Sequence, residues 1–294
     1  MQLTRTLIGL TCLLGLNLAH ADVLPEAKVG IKIPLTKKPT TRPMTVAYVP
    51  FLSRYYIADG GLAPMPGEME IALSKSQVHA FDDKGQYLLS GKPGLDNRSI
   101  YFNPNTHKLE SVTYNVSSDA GFSPNTGVFA IELTEAGDIK DFPTEIAAFN
   151  PAFGSASTMP TYDAGNNRYL AKQERSNKVF IVELGKRERV GEITLDFAAA
   201  GVVHDDLSEH FIAYTGIPGE ELALLDVDHK AVLVFNLDGK LVGKSALPAT
   251  MKLRAHNHYN GLGYTNGMMF VYHEPEGEFG TYYGFRISDK AQTN

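Results

Sequence analysis

Cysteine and tryptophan are the scarcest residues in this chain: Cys12 is the single cysteine and there is no tryptophan. Cys12 lies in an N-terminal stretch that has the features of a secretory signal, so the chain that follows it contains no cysteine. This excludes disulfides, thiol catalysis and cysteine-ligated zinc or iron–sulfur clusters. A secreted domain without disulfides needs a large core, which about 270 residues of average apolar content can supply.

Several motifs of common enzyme families are also missing. The sequence has no Gly-x-Ser-x-Gly, no His-Glu-x-x-His, no phosphate-binding glycine-rich loop and no Rossmann fingerprint. Basic residues number 27 against 33 acidic ones, a balance that argues against nucleic acid as a partner. No segment after the N-terminal stretch is apolar enough for a membrane span of about 20 residues.

Residues 1–21 predict a cleavable secretory signal. Arg5 gives a basic start, Leu7 to Leu18 form a short apolar core, and Ala19-His20-Ala21 is a small-x-small cleavage site. Cleavage after Ala21 leaves 26 basic against 33 acidic residues, a net charge of about −7. We expect a single domain over residues 22–294, located in the periplasm or secreted.

A β-strand pattern recurs about every fifty residues. Its first residues lie 50, 51, 53 and 50 positions apart. The five copies are Val78-His-Ala-Phe81, Val128-Phe-Ala-Ile131, Val179-Phe-Ile-Val182, Val232-Leu-Val-Phe235 and Tyr282-Tyr-Gly-Phe285. A fixed period of this size in units built of strands predicts an all-β protein of the β-propeller class rather than a sandwich.

Each repeat divides into about four strands. Two apolar strands joined by a tight turn come first, the recurring segment is the third strand, and a more polar fourth strand suits an outer edge. We predict five blades, over residues 46–92, 97–143, 156–197, 201–248, and 256–287 with 28–35. In the fourth blade the first two strands are expected at Val202-Val203 and Phe211–Tyr214. Six blades is the alternative, because the loops 60–74 and 142–155 are long enough to contain strands.

The last repeat lacks a fourth strand, since only residues 288–294 follow its third. A matching segment occurs at the other end of the chain, where Lys28-Val-Gly-Ile-Lys-Ile-Pro-Leu35 resembles Arg189-Val-Gly-Glu-Ile-Thr-Leu195. We therefore expect the N-terminal strand to complete the C-terminal blade and close the ring. Closure would leave no unpaired sheet edge at the seam.

Two segments carry a resemblance to known proteins: Val78-His-Ala-Phe-Asp-Asp-Lys-Gly85-Gln-Tyr-Leu88 and Val232-Leu-Val-Phe-Asn-Leu-Asp-Gly239-Lys-Leu241. In this pattern the chain resembles secreted bacterial propellers of the TolB-like and NHL-like type. The resemblance covers most of the chain after the signal and implies a fold. Some members of that group are lactonases or other hydrolases, and others are protein-binding scaffolds. The Glu-Gly-Pro and Asp-Asn-Gly elements of calcium-dependent lactonases do not occur here.

Polar clusters at or just before the predicted inner strands give the candidate site, because those strands surround the propeller axis. The candidate binding residues are Asp96, Asn97, Arg98, Asp205, Asp206 and Arg254. His256 and His258 stand two apart, so on an extended strand their side chains would share a face. With His204 from the neighbouring blade they would form a site for a divalent metal. The structural alternative is that these histidines cap turns.

Two further functions place specific demands on the sequence. Glycan cleavage needs two carboxylates about 5–10 Å apart, for which Asp96, Asp163 and Asp206 are candidates, although the tryptophan platform common in sugar sites is absent. A lectin would need equivalent sites in every blade, and the polar residues of the inner strands differ too much for that.

The sequence therefore predicts an exported β-propeller that binds a protein partner or a small-molecule ligand through one mouth of the ring. The alternative is a metal-dependent hydrolase of the lactonase or esterase class, with His204, His256 and His258 at the axis. A binding module is favoured because the scaffold is well marked and no nucleophile is.

Overall fold

The computed structural model describes residues 22–35, 43–60, 76–113, 126–150, 152–154, 158–258, 260–275 and 280–290. The predicted signal and the loop 61–75 lie outside these ranges. Strands account for most of the regular structure, as expected of an all-β chain. No helix within the described ranges is long and apolar enough to cross a membrane.

The strands follow one another as antiparallel meanders. The first, β1 (Val23–Pro34), belongs to the last sheet. One sheet contains β2 (Pro43–Val49), β3 (Arg54–Asp59), β4 (Gln77–Asp82) and β5 (Tyr87–Gly91). The next contains β6 (Ser99–Asn103), β7 (Lys108–Thr113), β8 (Gly127–Ile131) and β9 (Thr144–Ala148). A third contains β10 (Thr161–Asp163), β11 (Arg168–Lys172), β12 (Lys178–Glu183) and β13 (Glu188–Thr194).

The remaining strands form an eight-stranded sheet of order β14-β15-β16-β17-β1-β20-β19-β18. Its first half contains β14 (Ala213–Tyr214), β15 (Leu222–Asp226), β16 (Ala231–Phe235) and β17 (Leu241–Ala246). Its second half contains β18 (Leu262–Thr265), β19 (Met268–His273) and β20 (Thr281–Ser288). A short helix, α1 (Phe197–Ala200), and 3₁₀ turns at Pro50–Leu52 and His204–Asp206 complete the described elements.

The first strand of each meander lies toward a common axis. Strands β2, β6, β10, β14 and β18 contact one another in turn, and β18 returns to contact β2. This is the propeller-like arrangement that the repeat predicts, and the sheets agree with a count of about five blades. No sixth four-stranded unit occurs in the described ranges. The loop 142–155 does hold a strand, β9, but it is the outer strand of the second sheet.

The burial pattern explains why these segments form blades. Every residue of the third strands β8 and β16 is buried, because a middle strand packs against neighbouring blades on both faces. The outer strand β13 is mostly exposed, in keeping with its charged sequence. Separate clusters of buried apolar residues fill the wedges between adjacent sheets.

The predicted start of the fourth blade is wrong. Its inner strand is Ala213–Tyr214 and its second strand is Leu222–Asp226, whereas Val203 is 59% exposed and outside any strand. The backbone N–H of Val203 donates to Oδ2 of Asp206 at 2.7 Å, and the chain turns there. A carboxylate three residues ahead satisfies the backbone locally and competes with strand pairing.

Candidate functional site

The end of the axis at which the inner strands finish contains a cavity of about 930 Å³. Each inner strand contributes one tyrosine to its lining, and we call this end the tyrosine mouth. The five residues are Tyr48, Tyr101, Tyr162, Tyr214 and Tyr264. All but Tyr162 are partly exposed.

Local sequence places these tyrosines at equivalent heights. Each occupies the last three residues of its inner strand and is followed by a tight turn rich in proline, glycine or asparagine. The turn after Tyr264 uses positive φ at Asn266 (51°) and Gly267 (70°), a conformation that these two residue types tolerate. The turns therefore form the rim of the mouth and the tyrosines form its wall.

Hydroxyl side chains connect neighbouring inner strands below the tyrosines. The backbone N–H groups of Ile100, Tyr214 and Tyr48 each donate to a threonine Oγ1 on the adjacent inner strand. The donor–acceptor pairs are Ile100 to Thr45 at 2.6 Å, Tyr214 to Thr161 at 3.0 Å and Tyr48 to Thr265 at 3.0 Å. Ser99 donates instead to the carbonyl of Pro160, a residue that has no N–H. These contacts hold the inner ring together.

A buried network orients the tyrosines of the second and third sheets. Tyr101 donates to Oε2 of Glu110 at 2.9 Å and lies 2.6 Å from the hydroxyl of Tyr169. The rings of Tyr101 and Tyr162 stack with centroids 4.7 Å apart. Burial raises the pKa of Tyr101 and of Tyr169 well above the ordinary value of 10.0. Both phenols therefore stay neutral and keep their hydrogen bonds at physiological pH.

Burial also keeps Tyr214 and Tyr264 neutral; these tyrosines lie in the two halves of the eight-stranded sheet. It raises the pKa of Tyr214 to about 12, with Asp163 and Glu221 adding to the shift, and raises the pKa of Tyr264 to about 12, with a contribution from Glu220. A neutral phenol can donate and accept a hydrogen bond but is a poor base. These groups are suited to contact a ligand more than to transfer protons.

Glu221 is the acidic member of the lining. Its Oε1 accepts a hydrogen bond from the backbone N–H of Gly219 at 2.7 Å. Its Oε2 is buried and has no hydrogen-bond partner in the described part of the chain. A half-satisfied carboxylate in a wall of phenols is the clearest electrostatic feature of the tyrosine mouth.

The sequence-predicted site residues lie toward the opposite end of the axis, where the inner strands begin; we call this end the entry mouth. Asp96, Asn97 and Arg98 directly precede β6, as predicted, and all three are buried. Nε of Arg98 donates to Oδ2 of Asp96 at 2.7 Å, so this ion pair is internal. The amide of Asn97 is fully buried and makes no hydrogen bond within the described residues.

The expectation that His256 and His258 lie on an extended strand is wrong. The backbone N–H of His258 donates to the carbonyl of Ala255 at 2.9 Å, which closes a turn. The side chain of Asn260 donates to the carbonyls of Ala255 and His258, and these bonds hold the turn in place. His258 is exposed. The two histidines therefore do not share a strand face.

The structure brings two of the three predicted histidines to one carboxylate. Nε2 of His204 lies 3.2 Å from Oδ1 of Asp205, and Nε2 of His256 lies 4.0 Å from the same atom. Within the described ranges, no group of three or more His, Cys, Asp or Glu side chains has the arrangement of a metal site. A divalent metal bound by His204, His256 and His258 stays a prediction.

Two other predicted binding residues, Asp206 and Arg254, already make contacts within the protein. Asp206 holds the turn at Val203, as described above. Arg254 makes a two-pronged ion pair with Glu274, with both N–O distances at 2.7 Å. That geometry joins the loop before β18 to the end of β19. Both side chains therefore hold loops of the protein in place.

Sequence reasoning missed a titratable pair at the entry mouth. Lys172 is fully buried, and its Nζ donates to the carbonyls of Gln173 and Glu209 at 3.3 Å each. Burial lowers its pKa to about 8. His210 is also buried, with Nδ1 3.5 Å from Oε1 of Glu174, and burial lowers its pKa. Lysine at the end of an otherwise apolar strand was the available signal.

Sequence reasoning also missed the tyrosine mouth, although its signal was present. Every inner strand carries a tyrosine, and the predicted first strands of four blades already contained Tyr48, Tyr101, Tyr162 and Tyr264. The common orientation of these side chains appears only once the strands surround one axis.

Comparisons with known proteins agree with a propeller. The chain is similar in structure to Myxococcus xanthus glutaminyl cyclase, with a TM-score of 0.50 and 9% identity, over 91% of this chain and 99% of that one. Weaker likenesses are to the nidogen–laminin complex (TM-score 0.38, 13% identity, 69% of this chain and 63% of that one) and to the Neurospora crassa Pan2 WD40 domain (0.37, 10%, 87% and 65%). No family model and no curated protein matches the chain. At 9% identity the likeness to the glutaminyl cyclase shows the fold, a β-propeller, and not an activity.

Proposed function

We propose that this protein is a binding module that takes its ligand in the tyrosine mouth. The observation that carries the proposal is the cavity of about 930 Å³ with one tyrosine from each inner strand. Small-molecule sites typically enclose about 300–1,000 Å³ and combine aromatic walls with a few polar groups. The ligand is a small molecule, or a side chain that a protein partner inserts into the cavity.

The chemistry of the lining supports binding over catalysis. Burial raises the pKa of Tyr214 and of Tyr264 to about 12, and none of the described lining residues is a histidine, lysine or cysteine that could act as base or nucleophile. Tyrosine offers a large, rigid contact area at a low entropic cost, together with a polar tip. This composition is typical of recognition surfaces.

The test is a comparison of ligand capture by three proteins. The full chain and its Tyr214→Ala and Tyr264→Ala variants are dialysed against a small-molecule extract of the producing cells, and bound compounds are identified by mass spectrometry. We expect each variant to lose at least about tenfold in affinity, as removal of a contacting aromatic ring commonly does. Tyr87→Ala, on the outer strand β5, is the matched control.

A protein partner is tested with the same variants after mild cross-linking. A single stoichiometric partner that the Tyr214→Ala and Tyr264→Ala proteins fail to capture would support insertion of a partner side chain. Unchanged capture of every compound and partner by both variants would contradict binding at the tyrosine mouth.

The proposal includes export of the chain to the periplasm or the exterior, with residues 22–294 as one domain. The features of residues 1–21 support it. N-terminal sequencing of the protein recovered from an exported fraction should begin at Asp22. A protein that retains Met1 in that fraction would contradict cleavage.

We also propose that β1 closes the ring as the outer strand of the last blade. Residues Lys28 to Pro34 pair antiparallel with β20, and Glu26 pairs parallel with Ala246 of β17. Glycines at equivalent turns support the assignment. A Cβ on Gly85 would lie 2.5 Å from the carbonyl oxygen of Lys32 in β1, and one on Gly239 would lie 2.0 Å from that of Thr194 in β13. Strand β1 thus contacts the next blade as the outer strand β13 does.

The alternative function is a metal-dependent hydrolase of the lactonase or esterase class at the entry mouth. The approach of His204 and His256 to Asp205 favours it. It requires a stoichiometric divalent metal, measurable by elemental analysis of protein reconstituted with Zn²⁺. His256→Ala should then abolish both the metal and the hydrolysis of lactone or ester substrates, while a folded protein that stays metal-free would exclude this function.

A further inference from the structure

The charges of the tyrosine mouth are of one sign. Among the described residues that line the cavity, Glu221 is the single residue that bears a full charge at neutral pH, and none is lysine, arginine or histidine. Further carboxylates stand behind the tyrosines. Glu110 accepts from Tyr101, and Glu220 contributes to the raised pKa of Tyr264. With Glu221 in the lining and Glu110 behind it, this cavity disfavours carboxylate and phosphate ligands.

Two cations close to the acidic groups at this end of the axis are already engaged. Nε of Arg168 lies 2.8 Å from Oδ2 of Asp163, and Nζ of Lys290 lies 3.0 Å from Oε1 of Glu220. No ion pair with Glu221 occurs in the described part of the chain. The carboxylate of Glu221 therefore lines the cavity without a cationic partner, and its Oε2 has no hydrogen-bond donor among these residues.

The tyrosine rings, like the carboxylate, attract cations. The face of an aromatic ring carries partial negative charge, so a desolvated cation within about 6 Å of it is stabilised. A lining that combines tyrosine rings with one carboxylate has the composition of sites that bind ammonium groups. Neutral and anionic ligands do not gain this attraction between a cation and the ring faces.

We infer that the ligand of the tyrosine mouth carries an organic ammonium group, which contacts the tyrosine rings and pairs with the carboxylate of Glu221. This inference rests on the proposed function, since it names the chemical class of ligand for that same cavity. Primary to quaternary ammonium compounds belong to the class, and the cavity volume sets the upper limit on their size.

The test uses matched probes of one shape and different charge. Choline carries a trimethylammonium group, 3,3-dimethyl-1-butanol is its neutral isostere, and 3,3-dimethylbutyrate is an anion of similar shape. Binding to the full chain is measured by calorimetry and by ligand-observed NMR. We expect choline to bind at least about tenfold more tightly than the neutral isostere, and the anion not to bind.

Variants assign the effect to the residues. Glu221→Gln keeps the shape of the side chain but removes its charge, so choline affinity should fall about tenfold while that of the isostere is unchanged. Tyr264→Ala should weaken both compounds. Glu188→Gln, at an exposed position on the outer strand β13, is the control and should change neither.

The outcomes separate this inference from the proposed function. Equal binding of choline and its isostere, or an unchanged choline affinity in Glu221→Gln, would overturn the ammonium assignment and leave the tyrosine mouth as a binding site. Failure of choline and tetramethylammonium to bind, while the protein still captures another compound through Tyr214 and Tyr264, would also overturn it. Loss of capture at the mouth altogether would instead overturn the proposed function.

Discussion

At the scale of single residues, Lys172 is a fully buried lysine whose Nζ makes only backbone hydrogen bonds among its described contacts. Burial lowers its pKa from 10.5 to about 8, because the charged form loses its hydration. Below pH 8 the side chain is charged in both the folded and the unfolded protein, so the full cost of desolvation is present. Between pH 8 and 10.5 the folded protein releases the proton first, and that cost is relieved.

The lowered pKa of Lys172 predicts how the difference in unfolding free energy between the wild-type protein and the Lys172→Met variant changes with pH. Relative to the variant, the wild-type protein should gain free energy of unfolding as pH rises from 7 to 10, by up to about 3 kcal/mol for a pKa difference of this size. Urea unfolding of both proteins across that range measures the difference. Lys84→Met, at an exposed turn, is the control and should show no such trend. If the difference in unfolding free energy between the wild-type protein and Lys172→Met does not change with pH, the prediction is contradicted.

The hydroxyl bridges give a second prediction at this scale. Oγ1 of Thr45 accepts from the N–H of Ile100 at 2.6 Å and lies 3.2 Å from its carbonyl oxygen. Thr45→Val keeps the shape but leaves a buried N–H unpaired, so the protein should lose about 1–3 kcal/mol of unfolding free energy. Thr194→Val, at an exposed position, is the control. Equal stability of the two variants would show that the bridge contributes nothing.

At the scale of elements, β1 is exceptional because its neighbours in the sheet, β17 and β20, are not its neighbours along the chain. It pairs with β20 at the far end of the chain, and near its C-terminal end the buried Ile33 lies between the exposed Lys32 and Pro34. Ile33 is fully buried opposite Tyr282, whereas Val29 is 45% exposed on the same strand. One strand therefore offers an inward and an outward residue for comparison.

Removal of the closing strand should destabilise the ring. Deletion of residues 28–35 strips β20 of its partner and should lower the free energy of unfolding by several kcal/mol, on the order of the cost of several unpaired backbone groups. If the deleted protein does not fold, Ile33→Ala answers the same question with an expected loss of about 2–5 kcal/mol. Val29→Ala should have little effect, and an unchanged urea midpoint for Ile33→Ala would contradict closure by β1.

At the scale of the whole molecule, tyrosines are distributed through the axis and the wedges between blades, and burial raises the pKa of many of them. Their folded-state pKa lies above the value of 10.0 expected in the unfolded chain. The stabilisation is therefore fully present below pH 10 and is lost as pH rises through the folded-state values, because only the unfolded chain then releases its phenolic protons.

The prediction is an alkaline unfolding transition that depends on tyrosine. Above about pH 10 the midpoint of urea unfolding should fall steeply, and phenolate absorbance should rise together with the loss of β-sheet circular dichroism. Phenolate that appears at pH 10 in fully folded protein would instead indicate that these tyrosines are open to solvent.

Much of the architecture was predictable because it depends on local repetition. A third strand such as Val232–Phe235 is apolar on both faces and is followed by a tight turn with Asp238 and Gly239, and this pattern recurs at a constant period. Period and turn chemistry are local properties, so the strands of most blades were found within a few residues. The pattern failed at Val202-Val203, where a carboxylate three residues later satisfies the backbone in a turn.

The candidate site was less predictable, because it depends on which side chains meet. The sequence pointed to polar clusters such as Asp96 to Arg98, which the structure buries in internal pairs. The tyrosines of the inner strands were visible as apolar strand residues and carried no sign of convergence. Their role depends on strands that lie about fifty residues apart along the chain and meet at the axis.

By itself, the sequence determined that this is an all-β, repetitive chain without disulfides and with an excess of acidic residues, because composition and periodicity need no contact between distant residues. The tertiary structure alone decided that the tyrosines line one cavity together with Glu221, whose Oε2 has no hydrogen-bond partner among the described residues. It also decided that Lys172 is fully buried. Burial and juxtaposition arise only when the blades pack around a common axis, and they are what set the charge, the pKa values and the ligand chemistry of a site.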